Sequence, residues 1–174
     1  MSSFHTPVML AEVIKGLNIK PGSKYIDATT GGGGHAIEMF QRGGIVLGID
    51  TDKEAVEENR KKEWKVVQGN FRDIEGIAKK EGLEEVNGIL FDLGVSSHQL
   101  DTPGRGFSYR FTDAPLDLRM NQSEGVTAAQ LVNQATREEL YEIFTRYAEE
   151  ELARPITHAI LSARAVKPIE TTGD

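Results

Sequence analysis

The sequence contains no cysteine and no long apolar run, and these two absences set the first limits on its function. Without cysteine the chain can form neither a disulfide framework nor a zinc–thiolate site, and it has no thiol nucleophile. A membrane-spanning helix needs about eighteen consecutive apolar residues, and no segment approaches that length. The first residues also lack the basic and apolar regions of a signal peptide. We therefore expect a cytoplasmic protein with no membrane partner.

An excess of basic residues is also lacking. Lysine and arginine number 20 against 27 aspartates and glutamates, so the formal net charge is −7. This balance argues against a protein that coats duplex nucleic acid through a broad basic face, although an enzyme could still meet RNA through a few arginines. The four histidines are scattered, without a pair four residues apart, and we predict no metal site.

Four short apolar runs, each followed by a polar or glycine-rich turn, predict buried parallel strands. Helical patterns separate them, and an amphipathic helix over 7–17 precedes them. The order βαβαβαβ predicts an α/β fold with a Rossmann-like sheet and helices on both faces. The predicted strands are Lys24–Asp27, Ile45–Asp50, Lys65–Asn70 and Val86–Asp92, and the predicted helices between them are Gly34–Arg42, Asp52–Lys62 and Phe71–Glu81.

The pattern changes after Asp92. Residues 93–120 are rich in glycine, serine, proline and aspartate and have no sustained period, which predicts a long loop. Three helical patterns follow, and the tail over 167–174 has no pattern that would add a closing element. We therefore predict a sheet domain over 1–112 and a helical domain over 113–174. The predicted helices of the second domain are Thr127–Asn133, Arg137–Tyr147 and Glu149–Arg164, and Thr127 and Thr136 are predicted N-caps.

A glycine cluster, Asp27–His35, lies between the first strand and its helix. Glycines allow the backbone to approach a ligand closely, and the following helix N-terminus offers unpaired N–H groups. Gly31, Gly33 and Ala36 match the dinucleotide-binding pattern G-x-G-x-x-A, and Asp50 stands where an acid can hold ribose hydroxyls. The spacing therefore predicts an adenosine-type cofactor, which could be NAD or S-adenosylmethionine.

Polar residues follow the predicted strands at Asp27, Asp50, Asn70 and Asp92. Because ligands of open α/β sheets bind beyond the carboxyl ends of the strands, these side chains mark a candidate site. Any one of them could instead only cap a helix or shape a turn. His35 begins a helix, so we expect it to cap that helix or to contact a ligand through its backbone.

Aromatic residues supply two further candidates. Phe71 could lie beside an adenine or pack in the core. Residues 105–111 alternate aromatic side chains with two arginines, a mixture that can stack bases and pair with phosphates. Arg105, Phe107 and Tyr109 are therefore candidate substrate contacts, although aromatic side chains can also anchor such a loop in the core.

These residues give the chain a resemblance to the RsmH (MraW) family, the S-adenosylmethionine-dependent N4-cytidine methyltransferases of 16S ribosomal RNA. The resemblance implies a class I methyltransferase sheet, S-adenosylmethionine as cofactor and the small ribosomal subunit as partner. It rests on the stretches His5–Leu10, Asp27–His35, Gly48–Asp52, Phe91–Asp101, Arg105–Ser108 and Pro115–Met120.

The resemblance also assigns roles to positions of this sequence. It implies cofactor contacts at Gly33, Gly34 and His35 in the glycine cluster, ribose binding by Asp50 and an adenine contact at Phe71. Asp92 and Gln99 match contacts near the methionine end of the cofactor. Asp92 or a nearby loop carbonyl is in addition the candidate catalytic acceptor for the N–H of the cytosine amino group.

The family pattern continues beyond Asp174, so the resemblance implies an incomplete sheet and a shortened helical domain. One alternative is therefore a non-catalytic fragment that binds cofactor or ribosome. A less favoured alternative is an NAD-dependent oxidoreductase, which rests only on the glycine spacing and Asp50.

Overall fold

The computed structural model describes residues 7–174 and divides into two compact units, one ending at His98 and one comprising Gln99–Asp174. The first residues of the stretch His5–Leu10 lie outside the described part. The predicted domain boundary after residue 112 falls within the second unit.

The first unit is built on a parallel four-stranded sheet of order β3-β2-β1-β4. The fold class predicted from the apolar runs is confirmed, and β1 and β2 have the predicted bounds. A single 3₁₀ turn, Phe71–Asp73, precedes the fourth helix. The elements are α1 (Leu10–Leu17), β1 (Lys24–Asp27), α2 (Gly34–Gln41), β2 (Ile45–Asp50), α3 (Lys53–Asn59), β3 (Lys65–Gln68), α4 (Ile74–Glu81) and β4 (Gly88–Leu90).

Apolar side chains cover both faces of this sheet. Tyr25 and Val46 belong to one buried cluster, whereas their neighbours Ile26 and Leu47 belong to a second. Because successive side chains of a strand point to opposite faces, the two clusters lie on opposite sides of the sheet. Helix α1 contributes Ile14 to the first cluster. This double burial explains why the strands are apolar almost throughout.

The two edge strands differ in charge. Lys65 of β3 forms an ion pair with Glu81. At the other edge, β4 consists of Gly88, Ile89 and Leu90 and carries no charge, and Ile89 is 40% exposed.

The second unit is helical. Helix α5 (Ser97–Asp101) and a 3₁₀ turn (Pro103–Arg105) occupy part of the stretch predicted as loop, so that prediction is wrong there. Five residues are too few to show a helical period in the sequence. With 14 residues α8 is a short helix, and within residues 7–174 no helix has the length and apolarity to cross a membrane. The later elements are α6 (Ala128–Gln134), α7 (Arg137–Glu142), a π-helical turn (Ile143–Tyr147) and α8 (Ala153–Val166).

Threonines set the starts of two of these helices. Thr127 and Thr136 each accept a hydrogen bond from the backbone N–H three residues on, and Gln130 and Glu139 bond back to the threonine N–H. These capping boxes confirm both predicted N-caps. Helix α8 begins at Ala153, four residues after the predicted start at Glu149.

The C-terminal tail closes onto the loop before α6, which corrects the prediction that it adds no closing element. Thr171 forms an antiparallel bridge with Pro115, and the Gly173 N–H donates to the Thr112 carbonyl. Asn133 bonds to both the N–H and the carbonyl of Ile169. These bonds tie the residues around 112 to the tail and explain why they belong to the second unit.

Candidate functional site

The glycine loop, residues 27–34, joins the carboxyl end of β1 to α2. Gly31 and Gly33 have φ angles of +50° and +79°, which favour glycine, and Gly33 is the N-cap of α2. A Cβ on Gly33 would lie 2.1 Å from Asn59 Oδ1, and one on Gly34 would lie 2.9 Å from Pro7 Cδ. The loop therefore has room for backbone alone at these two positions.

Asp50 at the end of β2 fixes the loop from the side. Its Oδ2 accepts a hydrogen bond of 2.7 Å from the Gly31 N–H, and its Oδ1 accepts one of 2.8 Å from the Asp52 N–H. Burial raises the pKa of Asp50 above its ordinary value, and the bonds from the backbone N–H groups of Asp52 and Gly31 oppose that rise. Each oxygen keeps a further lone pair with which a ribose hydroxyl could bond.

Asp27 is a second acid of the site, one that the predicted contact residues do not include. Its side chain is buried; Oδ1 accepts a bond of 3.3 Å from the Thr29 N–H, and Oδ2 has no partner within the described residues. Burial raises the pKa of Asp27 to about 7, and the negative charges of Asp50 and Asp92 push in the same direction. The sequence feature that could have indicated Asp27 as a site residue is its position as the acid that ends the first predicted strand.

Asp92 follows β4 and is anchored by its backbone. Its N–H donates to Thr29 Oγ1 at 2.7 Å, while its side chain is 40% exposed. The buried His35 ring lies beside it, with Nδ1 3.9 Å from Asp92 Oδ2 and Nε2 3.1 Å from the Val8 carbonyl. Because a carbonyl only accepts, Nε2 carries the proton in that contact. The His35 imidazole thus has two polar contacts of its own.

Three carboxylates, Asp27, Asp50 and Asp92, therefore interact at the carboxyl edge of the sheet. Among the ion pairs of residues 7–174, none joins a lysine or arginine to any of them. In the same part of the chain no group of three or more histidine, aspartate or glutamate side chains could hold a metal ion. The chemistry that this edge offers is a concentration of negative charge.

Two aromatic rings follow strands β3 and β4 and contact each other. Phe71, after β3, and Phe91, after β4, have ring centroids 5.6 Å apart with the planes at 87°. Both are partly exposed, at 39% and 46%. Phe91 is missing from the sequence prediction, because it reads as the last apolar residue of a strand. The pair offers apolar surface to a flat ligand.

The remaining predicted site residues belong to the second unit. Gln99 is buried in α5. Arg105 is 3% exposed, and its guanidinium donates to the carbonyls of Arg119 and Met120 and lies 5.9 Å from the Phe107 ring centroid. Tyr109, by contrast, is 87% exposed. Arg105 thus has a structural role that its sequence context did not reveal.

A cavity of about 550 Å³ lies between α7 and α8. The Arg154 guanidinium stands 5.6 Å from the Tyr141 ring centroid. Within the described residues neither Arg137 nor Arg154 has a carboxylate partner, and the buried Thr157 hydroxyl has no hydrogen-bond partner. The cavity is lined by Arg137, Glu138, Tyr141, Arg154, Pro155, Thr157 and His158.

Comparison with known proteins shows the family to which the chain belongs. A sequence model of the MraW methylase family matches residues 2–174. The chain belongs to the MraW methylase family. The ribosomal RNA small subunit methyltransferase H of Fusobacterium nucleatum subsp. nucleatum is 42% identical over 99% of this chain, and that of Clostridium botulinum (strain Loch Maree / Type A3) is 44% identical over 98%.

The alignments cover 58% and 57% of those two relatives, so this MraW-family chain spans less than two thirds of their length. Its parallel sheet, with polar residues at the carboxyl edge, is that of a class I methyltransferase.

Proposed function

We propose that the first unit binds S-adenosylmethionine and that the chain takes part in methylating the exocyclic N4 of a cytidine in 16S ribosomal RNA. Its MraW-family relatives are named as ribosomal RNA small subunit methyltransferases. The observation that supports this choice of cofactor is the set of carboxylates beside the glycine loop, Asp27, Asp50 and Asp92.

This negative edge favours S-adenosylmethionine over NAD. S-adenosylmethionine carries positive charge on its sulfonium and amino groups and has no phosphate, whereas NAD carries two negative phosphates. Like charges disfavour one another near a site that is partly removed from water. The unpartnered Asp27 Oδ2 and the glycine backbone that excludes a Cβ fit a cationic ligand with a free ribose diol.

We propose the following roles for the individual residues. The backbone at Gly33, Gly34 and His35 would hold the polar end of the methionine moiety, and Asp50 would hold the ribose. Phe71, with Phe91 beside it, would contact the adenine. Asp92 would contact the methionine end, and for Gln99 the same role is an expectation from the sequence resemblance alone.

When bound, S-adenosylmethionine supplies a methyl group already activated by the sulfonium. The residues of this chain then have to align the acceptor rather than activate the donor. The partly exposed Asp92 carboxylate can accept a hydrogen bond from the cytosine amino group, which directs the nitrogen lone pair away from the ring. The adjacent His35 ring, with Nδ1 3.9 Å from Asp92 Oδ2, borders that carboxylate on one side.

RNA contact is proposed for the second unit. The exposed Tyr109 and the half-buried Phe107 keep their predicted role as base contacts, and Arg105 supports Phe107 from the buried side. The arginines of the α7–α8 cavity, Arg137 and Arg154, add positive charge without a carboxylate partner. Phosphate groups are the anions that such arginines bind in RNA.

Calorimetric titration with S-adenosylmethionine, with NAD as the control ligand, tests the cofactor. We expect saturable binding of S-adenosylmethionine alone, and at least tenfold weaker binding by Asp50→Asn than by the exposed control Asp73→Asn. Binding of NAD alone, or no S-adenosylmethionine binding by a folded chain, would contradict the proposal.

Binding of a small-subunit RNA fragment tests the second unit. We expect Arg137→Gln and Arg154→Gln each to weaken binding several-fold at low salt. Arg146→Gln is the matched control, because Arg146 is exposed and already paired with Glu142. A methyl-transfer assay on the same RNA then distinguishes an active enzyme from a protein that only binds RNA. Equal RNA affinity of all three variants would exclude the α7–α8 cavity from the proposed RNA contact.

A further inference from the structure

Asn59, the last residue of α3, supports the glycine loop from behind. The side chain is fully buried, and its Nδ2 donates two hydrogen bonds of 2.8 Å, one to the Gly31 carbonyl and one to the Ala55 carbonyl. The first bond joins α3 to the loop, and the second fixes the side-chain rotamer against its own helix. Nothing in the sequence pattern around residue 59 indicates this contact.

Gly31 is thereby held at both of its polar groups. Its N–H donates to Asp50 Oδ2 at 2.7 Å, and its carbonyl accepts from Asn59 Nδ2. Glycine loses more conformational freedom on folding than any other residue, and residues 31–34 are four glycines in succession. Two side chains from two different elements thus restrain the most flexible part of the loop.

Asn59 also contacts the loop at Gly33. Its Oδ1 lies 2.1 Å from where a Gly33 Cβ would stand, and Trp64 Cζ2 lies 2.9 Å from the same point. Asn59 Oδ1 and Trp64 Nε1 are both buried, and neither has a hydrogen-bond partner among residues 7–174. A buried acceptor and a buried donor without partners are unfavourable for stability alone, which points to a role in shaping the loop.

We propose that Asn59 is a positioning residue for the cofactor: it holds Gly31 and Gly33 in the binding conformation before the ligand arrives. This inference rests on the proposed binding of S-adenosylmethionine by the first unit. Preorganisation strengthens binding by removing the loss of freedom that the ligand would otherwise have to impose. Asn59 itself does not touch the ligand in this proposal; it acts through the two glycines.

The second unit supplies a matched control. Asn133 Nδ2 donates to the carbonyl four residues earlier, Ala129, at 2.8 Å and to a distant carbonyl, Ile169, at 2.7 Å. Asn133→Ala therefore removes the same kinds of bond as Asn59→Ala, but away from the glycine loop. Asn59→Asp keeps the side-chain size and removes the donor in the charged form.

Calorimetry of the full chain gives the first readout. We expect Asn59→Ala and Asn59→Asp to weaken S-adenosylmethionine binding by 10- to 100-fold with one site per chain retained, and Asn133→Ala to leave the affinity unchanged. A merely structural role would lower the number of binding-competent chains and leave the dissociation constant unchanged, and that result would overturn the proposal.

Amide hydrogen exchange without ligand gives the second readout. We expect the Gly31 and Gly33 amides to exchange at least tenfold faster in Asn59→Ala and at the wild-type rate in Asn133→Ala. Unchanged exchange at both glycines would overturn the inference whether or not the wild type binds S-adenosylmethionine. If the wild type fails to bind while exchange accelerates, the positioning is supported and the proposed cofactor is wrong. Trp64, the one tryptophan of the sequence, offers a fluorescence signal for the same loop.

Discussion

Two acids beside the glycine loop of the first unit and two arginines of the second unit bond to opposite kinds of backbone group. In the first unit Asp27 and Asp50 accept hydrogen bonds from backbone N–H groups around the glycine loop. In the second unit Arg105 and Arg164 donate to backbone carbonyls, and the Arg164 guanidinium bonds to the Val132 and Ala135 carbonyls at the end of α6. The two acids beside the glycine loop thus bond to N–H groups, whereas Arg105 and Arg164 bond to carbonyls.

The difference decides the charge that each unit has available for a ligand. Asp27 and Asp50 have no arginine or lysine partner among the ion pairs of residues 7–174, so the loop edge stays negative. Arg137 and Arg154, which have no carboxylate partner among the described residues, stand at the α7–α8 cavity of the second unit. The cationic cofactor proposed for the first unit and the phosphate-rich substrate proposed for the second both rest on this contrast.

The largest expected effect is that of Gly33→Ala, which tests the loop of the first unit. The new Cβ would meet Asn59 Oδ1 at a backbone φ of +79°. We expect a loss of about 2–4 kcal/mol in the free energy of unfolding, measured by urea denaturation. Gly31→Ala, where the nearest atom is 3.9 Å away, is the control and loses about 1–2 kcal/mol for its positive φ. Equal losses would show that packing at Gly33 is not tight.

Arg105→Met tests the hydrogen bonds from a buried arginine to backbone carbonyls in the second unit. Methionine keeps much of the apolar contact but leaves the Arg119 and Met120 carbonyls without this donor. We expect a loss of about 2–3 kcal/mol in unfolding free energy. Arg110→Met, whose guanidinium pairs with the exposed Asp101, should lose less than about 1 kcal/mol. If the two variants match, Arg105 does not hold the loop.

Asp27→Asn addresses the buried acid of the first unit through pH. The folded-state pKa near 7 exceeds the ordinary value of 3.8, so between about pH 4 and pH 7 the folded chain keeps a proton that the unfolded chain has lost. Stability from this group is therefore full below pH 4 and falls as the pH rises through 7. We expect the variant to lack this fall and to be more stable than wild type at pH 8 by about 1–2 kcal/mol.

Urea denaturation at pH 5 and pH 8 checks this expectation, with Asp73→Asn as the exposed control. Parallel pH profiles of wild type and Asp27→Asn would mean that Asp27 is charged in the folded protein throughout.

The smallest expected effect is that of Thr127→Ala, which removes one capping box of the second unit. We expect a loss of about 1 kcal/mol in unfolding free energy, and a similar loss for Thr136→Ala at α7. Thermal denaturation followed by circular dichroism measures both. A loss confined to one threonine would show that the two helix starts do not contribute alike.

The success of prediction from the sequence also differs between the units. Strands β1 and β2 were predicted residue for residue, because an apolar run that ends in an acid and a polar or glycine-rich turn has few alternatives in a parallel sheet. The N-caps at Thr127 and Thr136 were predictable for the same local reason. Arg105 and the tail bridge at Thr171 were not, because their partners are backbone groups distant in sequence, and a backbone carbonyl has no residue signature.

In the candidate site, the glycine loop and the strand-end acids were visible in the sequence through their spacing. The support given by Asn59 was not, because a single asparagine at the end of a helix looks like an ordinary polar residue. The individual ligand contacts remain predictions for the measurements above.

The uncharged edge of the sheet has a practical consequence. A strand edge presents unpaired N–H and carbonyl groups that can template a further strand, and proteins commonly guard such edges with lysine. Strand β3 has Lys65 in that place, whereas β4 offers Ile89 at 40% exposure and no charge. Within residues 7–174, β4 is thus the edge on which a further strand could pair, and β3 is the edge that a lysine protects.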